Sequence, residues 1–177
     1  MRFLRLLATA AAIAAPGVAR SAEPAPTTIE SDSAESVGGD SETTTTFHDH
    51  VVATGNGIVL TCDFLKVTAT RLGDKSATIG KYGKFRYLLA TGNVRIVQGD
   101  RVATCGRAEV FPGEDRIVLT ENPVVRIESE HYEASGPRMV LYRGQRHVVI
   151  ESAPGQRTKI TLPAIKDLGF PSDKPAQ

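Results

Sequence analysis

The sequence predicts an all-β fold of short antiparallel strands, organised as stacked hairpin repeats. Three observations carry this. Apolar and polar residues alternate with period two from Phe47 to about Thr161. Turn-forming residues interrupt those runs every eight to fifteen residues or so. Related segments also recur along the chain. Composition agrees: 177 residues leave room for about one domain, and 41% apolar residues suffice for a core. Aromatics make up only 6%, with no Trp, which suits thin repetitive β-structure better than a deep aromatic-lined pocket.

In chain order, residues 1–19 come first and stand outside this pattern. Arg2 and Arg5 flank the start of an apolar, small-residue run ending in Gly17-Val18-Ala19, so a cleavable signal peptide and export are expected. The alternative is an uncleaved anchor, although a run interrupted by Arg5 is short for a bilayer about 30 Å thick. No Cys stands at the cleavage site to carry a lipid, and no later segment reaches the roughly 18 apolar residues of a membrane helix.

Residues 20–46 follow, rich in Ser, Thr, Pro and acid, with Ile29 and Val37 their only sizeable apolar residues. Six carboxylates against Arg20 make this a disordered acidic linker by composition. The remainder is modestly positive, far from the dense basic field of a nucleic-acid binder.

The β domain is expected over residues 47–161. Val94 and Ile96 alternate with Arg95 and Val97, Ile117 and Leu119 with Arg116 and Val118, Val125 and Ile127 with Arg126, and Met139 and Leu141 with Val140. Asn56-Gly57, Gly92-Asn93, Gly99-Asp100, Pro112 to Asp115, Asn122-Pro123, Gly136-Pro137 and Arg143 to Gln145 are the expected turns. Residues 162–177 form a tail, of which Leu162 to Phe170 has the composition of a short helix.

The repeat is visible twice over. Ala-Thr-Gly-Asn occurs at Ala53 to Asn56 and again at Ala90 to Asn93, and TCDFLKV (Thr61 to Val67) aligns with TCGRAEV (Thr104 to Val110). A looser third copy places Val125 and Ile127 where Val94 and Ile96 stand. Each unit, of roughly thirty residues, reads as turn, strand, turn, strand. One hairpin cannot bury its own apolar face; stacked copies make a continuous sheet that, folded over, encloses the face as a trough or flattened barrel.

The segments ATGNVRI, TCDFL, CGRAEVF and RIVLTENPVVRI, in this order, resemble the OstA-like, or LptA, family of lipopolysaccharide-transport proteins. The resemblance spans about residues 47–152. It departs at Glu121, where the family usually has Gly, and in the long loop Arg71 to Phe85. What it implies is a twisted, V-shaped two-sheet trough, β-jellyroll-like, in a noncatalytic periplasmic protein that carries or bridges lipopolysaccharide between inner and outer membranes. Lipid A acyl chains would lie inside, same-fold components of the membrane complexes would be partners, and a head-to-tail homo-oligomer would be possible. No cofactor or metal is implied.

The lining expected for such a trough is Ile58, Leu60, Leu65, Val67, Val94, Ile96, Ala108, Val110, Ile117, Leu119, Val125, Ile127, Met139 and Leu141. Each exposed methylene costs about 0.8 kcal/mol, so a chain of about twelve carbons needs continuous cover worth roughly 9 kcal/mol. The plainer alternative is that these residues pack only against one another. The segments Val51 to Thr54 and Val148 to Glu151 are candidate open edges, unless leader and tail cover them.

Other groups invite different chemistry. Cys62 and Cys105 occupy equivalent repeat positions, and on adjacent strands they would be within disulfide reach, the alternative being two small buried thiols. His48-Asp49-His50, with His131 or His147, would begin the zinc site of a metal-dependent hydrolase, yet no general base completes it. Glu128 and Glu130, on one expected strand face with Glu133 nearby, read as solvated surface. Arg71, Lys75, Lys81, Lys84 and Arg86 cluster in and beside the long loop, as a solvated loop or a site for lipid phosphates. The function classes left open are therefore a soluble lipid carrier, a membrane-anchored subunit of the same export system, a metallohydrolase and a ligand-free β-stack.

Overall fold

The computed structural model describes residues 26–145 and 147–163. The signal peptide and all but the first two residues of the tail helix therefore lie outside the described residues. The alternating runs form β1 (Thr28–Glu30), β2 (Ser33–Gly38), β3 (Glu42–Gly55), β4 (Ile58–Leu72), β5 (Lys81–Gln98) and β6 (Arg101–Phe111). They continue as β7 (Arg116–Thr120), β8 (Val124–Ile127), β9 (Tyr132–Ser135), β10 (Arg138–Tyr142), β11 (His147–Glu151) and β12 (Lys159–Thr161). Every described pairing is antiparallel, in the order β1-β3-β4-β5-β6-β7-β10-β11, with β2 on β3 and the series β8, β9, β12 continuing from β6. The all-β expectation holds.

The long strands β3 to β6 cross the whole sheet, and each breaks its alternation at one shared level, with further irregularities between β4 and β5 around Ala69. Register shifts fall between His48 and Val51, between Thr61 and Phe64, and between Thr91 and Val94. At the same level β6 changes partner from β8 to β7, and the Gly106 amide donates to the Glu121 carbonyl at 2.9 Å. Left-handed backbone collects here: Asp49 (φ 60°), His50 (50°), Gly92 (74°), Asn93 (47°), Glu121 (62°) and Asn122 (59°). Extra residues in a strand bend it and add twist. Where the shorter strands meet this line the chain is interrupted, by Glu121-Asn122-Pro123 between β7 and β8 and by Gly136-Pro137 between β9 and β10. The result is one sheet creased into two halves that face each other, the V-shaped trough.

Burial shows how closely the halves meet. Leu65 and Leu119 are 1% exposed and Met139 is fully buried. A single sheet face cannot exclude water that completely, so the apolar faces of the two halves cover one another.

Three sequence expectations are corrected. The stretch Thr28 to Thr46 is not a disordered linker: it supplies β1, β2 and the start of β3. Its four consecutive threonines, Thr43 to Thr46, are β-branched, and pairing with β4 satisfies a backbone whose composition alone predicted disorder. Gly92-Asn93 is not a turn. It is the bulge in the middle of β5, whereas Asn56-Gly57, with φ of 50° and 72°, is the true hairpin turn between β3 and β4. The Ala-Thr-Gly-Asn repeat thus serves two different purposes. Finally, Val52 to Thr54 is not an open edge, since β1 pairs along it.

Candidate functional site

The candidate site is the inner face, and cross-strand pairing generates it row by row. In one half, Phe47, Leu65, Ala90, Ala108, Leu119, Met139 and Ile150 stand opposite one another across seven strands. Two residues further out runs Val67, Leu88, Val110, Ile117, Leu141 and Val148. Beyond the crease the matching row is Ile29, Ala53, Leu60, Ile96, Ala103, Val125, Ala134 and Ile160. Between these rows, at the crease, stand Val51 opposite Cys62 and Val94 opposite Cys105. Strand alternation and the bulges together keep all of these side chains on one face.

Every predicted lining residue lies on this face. Leu65, Val67, Val94, Ala108, Leu119 and Met139 belong to its closed centre. Leu60, Ile96, Ile117, Val125 and Leu141 pack against that centre while half-exposed. Ile58, Val110 and Ile127 are half-buried at the outer ends of the rows. The sequence reading missed Ile29, Phe47, Val51, Ala53, Leu88, Ala90, Ala103, Tyr132, Ala134 and Ile150, which complete the same cluster. Steps of two from Val94 do reach Ala90 and Leu88, but the turn expected at Gly92-Asn93 ended the strand there and left both residues out of the face. Positive-φ-tolerant residues inside a strand pattern were the available signal.

The cysteines lie in this interior, but not as a pair. Cys62 is on β4 and Cys105 on β6, with β5 and its Val94 between them. Strands two apart are separated by about 9.5 Å, beyond the roughly 4.4 to 6.8 Å that a disulfide spans. The adjacent-strand expectation fails, and both are free, buried thiols. Burial pushes Cys62 up to about 11, with the nearby Asp63 charge adding to it, and burial likewise pushes Cys105 up to about 11. They behave as small apolar residues rather than nucleophiles.

Thr43, opposite Ala69, and Thr45, opposite Val67, are the uncharged polar residues that β3 sets on the inner face, and the histidines do not join them there. His48 rests edge-on against Phe64 at 5.0 Å between ring centres, while His50 Nδ1 lies 2.8 Å from Asp32 Oδ2. His131 ends the turn between β8 and β9, and His147 stacks on Tyr142 at 5.1 Å, so the four histidines are not brought together. No group of three or more His, Cys, Asp or Glu is placed to hold a metal among the described residues. Glu128 and Glu130 fall in a 3-10 turn rather than on a strand face, and Glu133 accepts from Arg126 at 2.7 Å. On the outer face Tyr87 donates to Glu109 at 2.6 Å, and Arg107 reaches the same oxygen at 3.0 Å. These bonds hold the Glu109 carboxyl below its usual range, the Tyr87 bond first, and burial pushes Tyr87 up to about 12.

A creased antiparallel sheet with a continuous apolar interior and edge strands at its ends is the OstA-like architecture. The chain belongs to the LptA/(LptD N-terminal domain) family of lipopolysaccharide-transport proteins, whose model matches residues 28–147. The match begins at β1, as the structure requires. Among solved structures, the chain is similar to LptH of Pseudomonas aeruginosa, the LptA-homologous periplasmic component of that organism's lipopolysaccharide transport device. The two superpose with a TM-score of 0.60 at 18% identity, over 78% of this chain and 96% of that one, which establishes the shared fold. No curated protein matches the chain.

Proposed function

We propose that this protein is a noncatalytic periplasmic carrier that shelters the acyl chains of lipopolysaccharide in its creased trough, as one link of a bridge between the two membranes. The observation that carries the reading is the continuous inner face: paired rows run from Ile29 on β1 to Ile160 on β12 and from Phe47 on β3 to Ile150 on β11, and every residue in them is apolar. An acyl chain of about twelve carbons would regain roughly 9 kcal/mol of cover along such rows. The face is shut at Leu65, Leu119 and Met139 and half-open at Leu60, Ile96, Ile117 and Leu141, so loading proceeds by the halves parting along the crease.

The ends suit assembly with the same fold. β11 pairs only with β10 among the described residues, and β2 only with β3, so each presents a backbone edge to an added strand. Such edges would accept same-fold components of the membrane complexes, or another copy head to tail. Export by cleavage after Ala19 would place the chain in the periplasm.

Purified protein incubated with lipopolysaccharide tests the reading. Ile96→Asp, which sets a charge in the half-open row, is expected to lower retained lipid at least about tenfold, because an unpaired buried charge costs more than 1.4 kcal/mol. Arg95→Asp, on the exposed outer face, is expected to retain it. Equal retention by both variants contradicts an acyl-chain site in the trough.

A further inference from the structure

The apolar interior makes no use of the far end of the β4–β5 hairpin. β6 stops at Phe111, level with Tyr87, so Lys81 to Arg86 of β5 continue with β4 on one side and, among the described residues, no strand on the other. A cleft of about 770 Å³ opens where β6 ends, between Lys84-Phe85-Arg86 and Phe111 to Glu114.

The tip beyond is shaped rather than loose. The Arg71 guanidinium donates to the carbonyls of Lys75, at 3.3 Å, and Ala77. It also lies where any side chain at Gly38 or Gly80 would meet it. Asp74 Oδ1 accepts from the Ser76 amide at 2.8 Å and from its hydroxyl at 2.7 Å. The Tyr82 hydroxyl meets Ser36 Oγ at 3.2 Å and Thr45 Oγ1 at 3.1 Å, tying the hairpin to β2 and β3.

What this tip shows to water is apolar and cationic together. Ile79 is 87% exposed, Leu72 52% and Phe85 46%. Lys75, Lys81 and Lys84 stand among them without an ion-pair partner among the described residues, and Asp74 is the only carboxylate between Arg71 and Arg86. Exposed apolar residues interspersed along the chain with these three lysines match a bilayer interface that offers both acyl chains and anionic phosphates.

We propose that the β4–β5 hairpin tip seats on the surface of an anionic phospholipid bilayer, with Ile79 and Leu72 entering the interface and the lysines meeting lipid phosphates. This stands whether or not the trough holds lipopolysaccharide. It would bring one end of the trough to the membrane without a transmembrane segment.

The chain has no Trp, so a single reporter reads one place. Full-chain Ile79→Trp is compared with Val59→Trp, which lies on the same strand pair beside the opposite, Asn56-Gly57 turn. Both are titrated with phosphatidylcholine vesicles, with or without phosphatidylglycerol. The reporters differ only in position, so binding through the hairpin tip is the case in which Ile79→Trp responds and Val59→Trp does not. On phosphatidylglycerol vesicles, Ile79→Trp emission is expected to shift to the blue and be quenched by brominated acyl chains, while Val59→Trp stays unchanged. Adding Lys81→Glu and Lys84→Glu is expected to weaken that partitioning at least about tenfold. The proposal is overturned by an unchanged Ile79→Trp spectrum, by an equal shift on phosphatidylcholine alone, by a matching Val59→Trp shift, or by charge reversal without effect. The first of these would leave the tip to an acidic protein surface.

Discussion

At the scale of single residues, Asp32 adds two contacts at the crease to the pairing of the N-terminal strands with β3. Asp32 joins β1 to β2; its amide donates to the Asp49 carbonyl at 3.1 Å, and its carboxylate meets His50 Nδ1 at 2.8 Å. Asp32 raises the His50 pKa above its ordinary value, first through the hydrogen bond and then through its charge. A group raised on folding contributes its full stabilisation below the free value of about 6.5 and loses it as pH rises through the folded value. The contribution of His50 is therefore fully present below about 6.5 and fades as pH rises through the raised folded value. By NMR, His50 is expected to titrate above 6.5, and in Asp32→Asn its midpoint is expected to fall towards that figure; identical midpoints would contradict the contact. Nothing in the acidic composition of residues 20–46 disclosed this pair, because it depends on the bulge at Asp49 and His50.

At the scale of elements, the crease depends on residues that tolerate left-handed backbone in mid-strand. Gly92 has φ of 74°, and a Cβ there would come within 2.8 Å of the Asp63 Cβ. Gly92→Ala is accordingly expected to destabilise the fold by about 1 to 3 kcal/mol, from strained φ and the displaced Asp63 side chain. That corresponds to a melting temperature lower by several degrees, on the order of 2 to 4 °C per kcal/mol for a chain of this size. An unchanged melting temperature would show that the bulge relaxes without cost. Gly99→Ala, at a turn with φ of 60° but open space around the Cβ, isolates the backbone contribution alone. Period-two patterning made most strands from β3 to β11 legible, since alternation and turn residues are local properties. The bulge was not legible as such: Gly and Asn mark a hairpin turn and a mid-strand kink alike, and only the partner strands distinguish them.

At the scale of the whole molecule, the sequence reading reached the fold class, the face of the lining residues and the family. It stopped where long-range pairing decides. The threonine-rich leader becomes strand only because β3 and β4 supply hydrogen bonds to it, and Cys62 and Cys105 are kept apart only because β5 runs between them. Local composition carries neither fact. The central claim is that this creased sheet encloses lipid acyl chains, and photo-crosslinking in cells tests it most directly. A photoreactive residue at Ile96, in the half-open row, at Leu119, in the closed centre, and at exposed Arg95 samples both faces. Lipopolysaccharide adducts are expected at Ile96 and Leu119 and not at Arg95; equal labelling at all three, or none at the inward pair, would contradict the account.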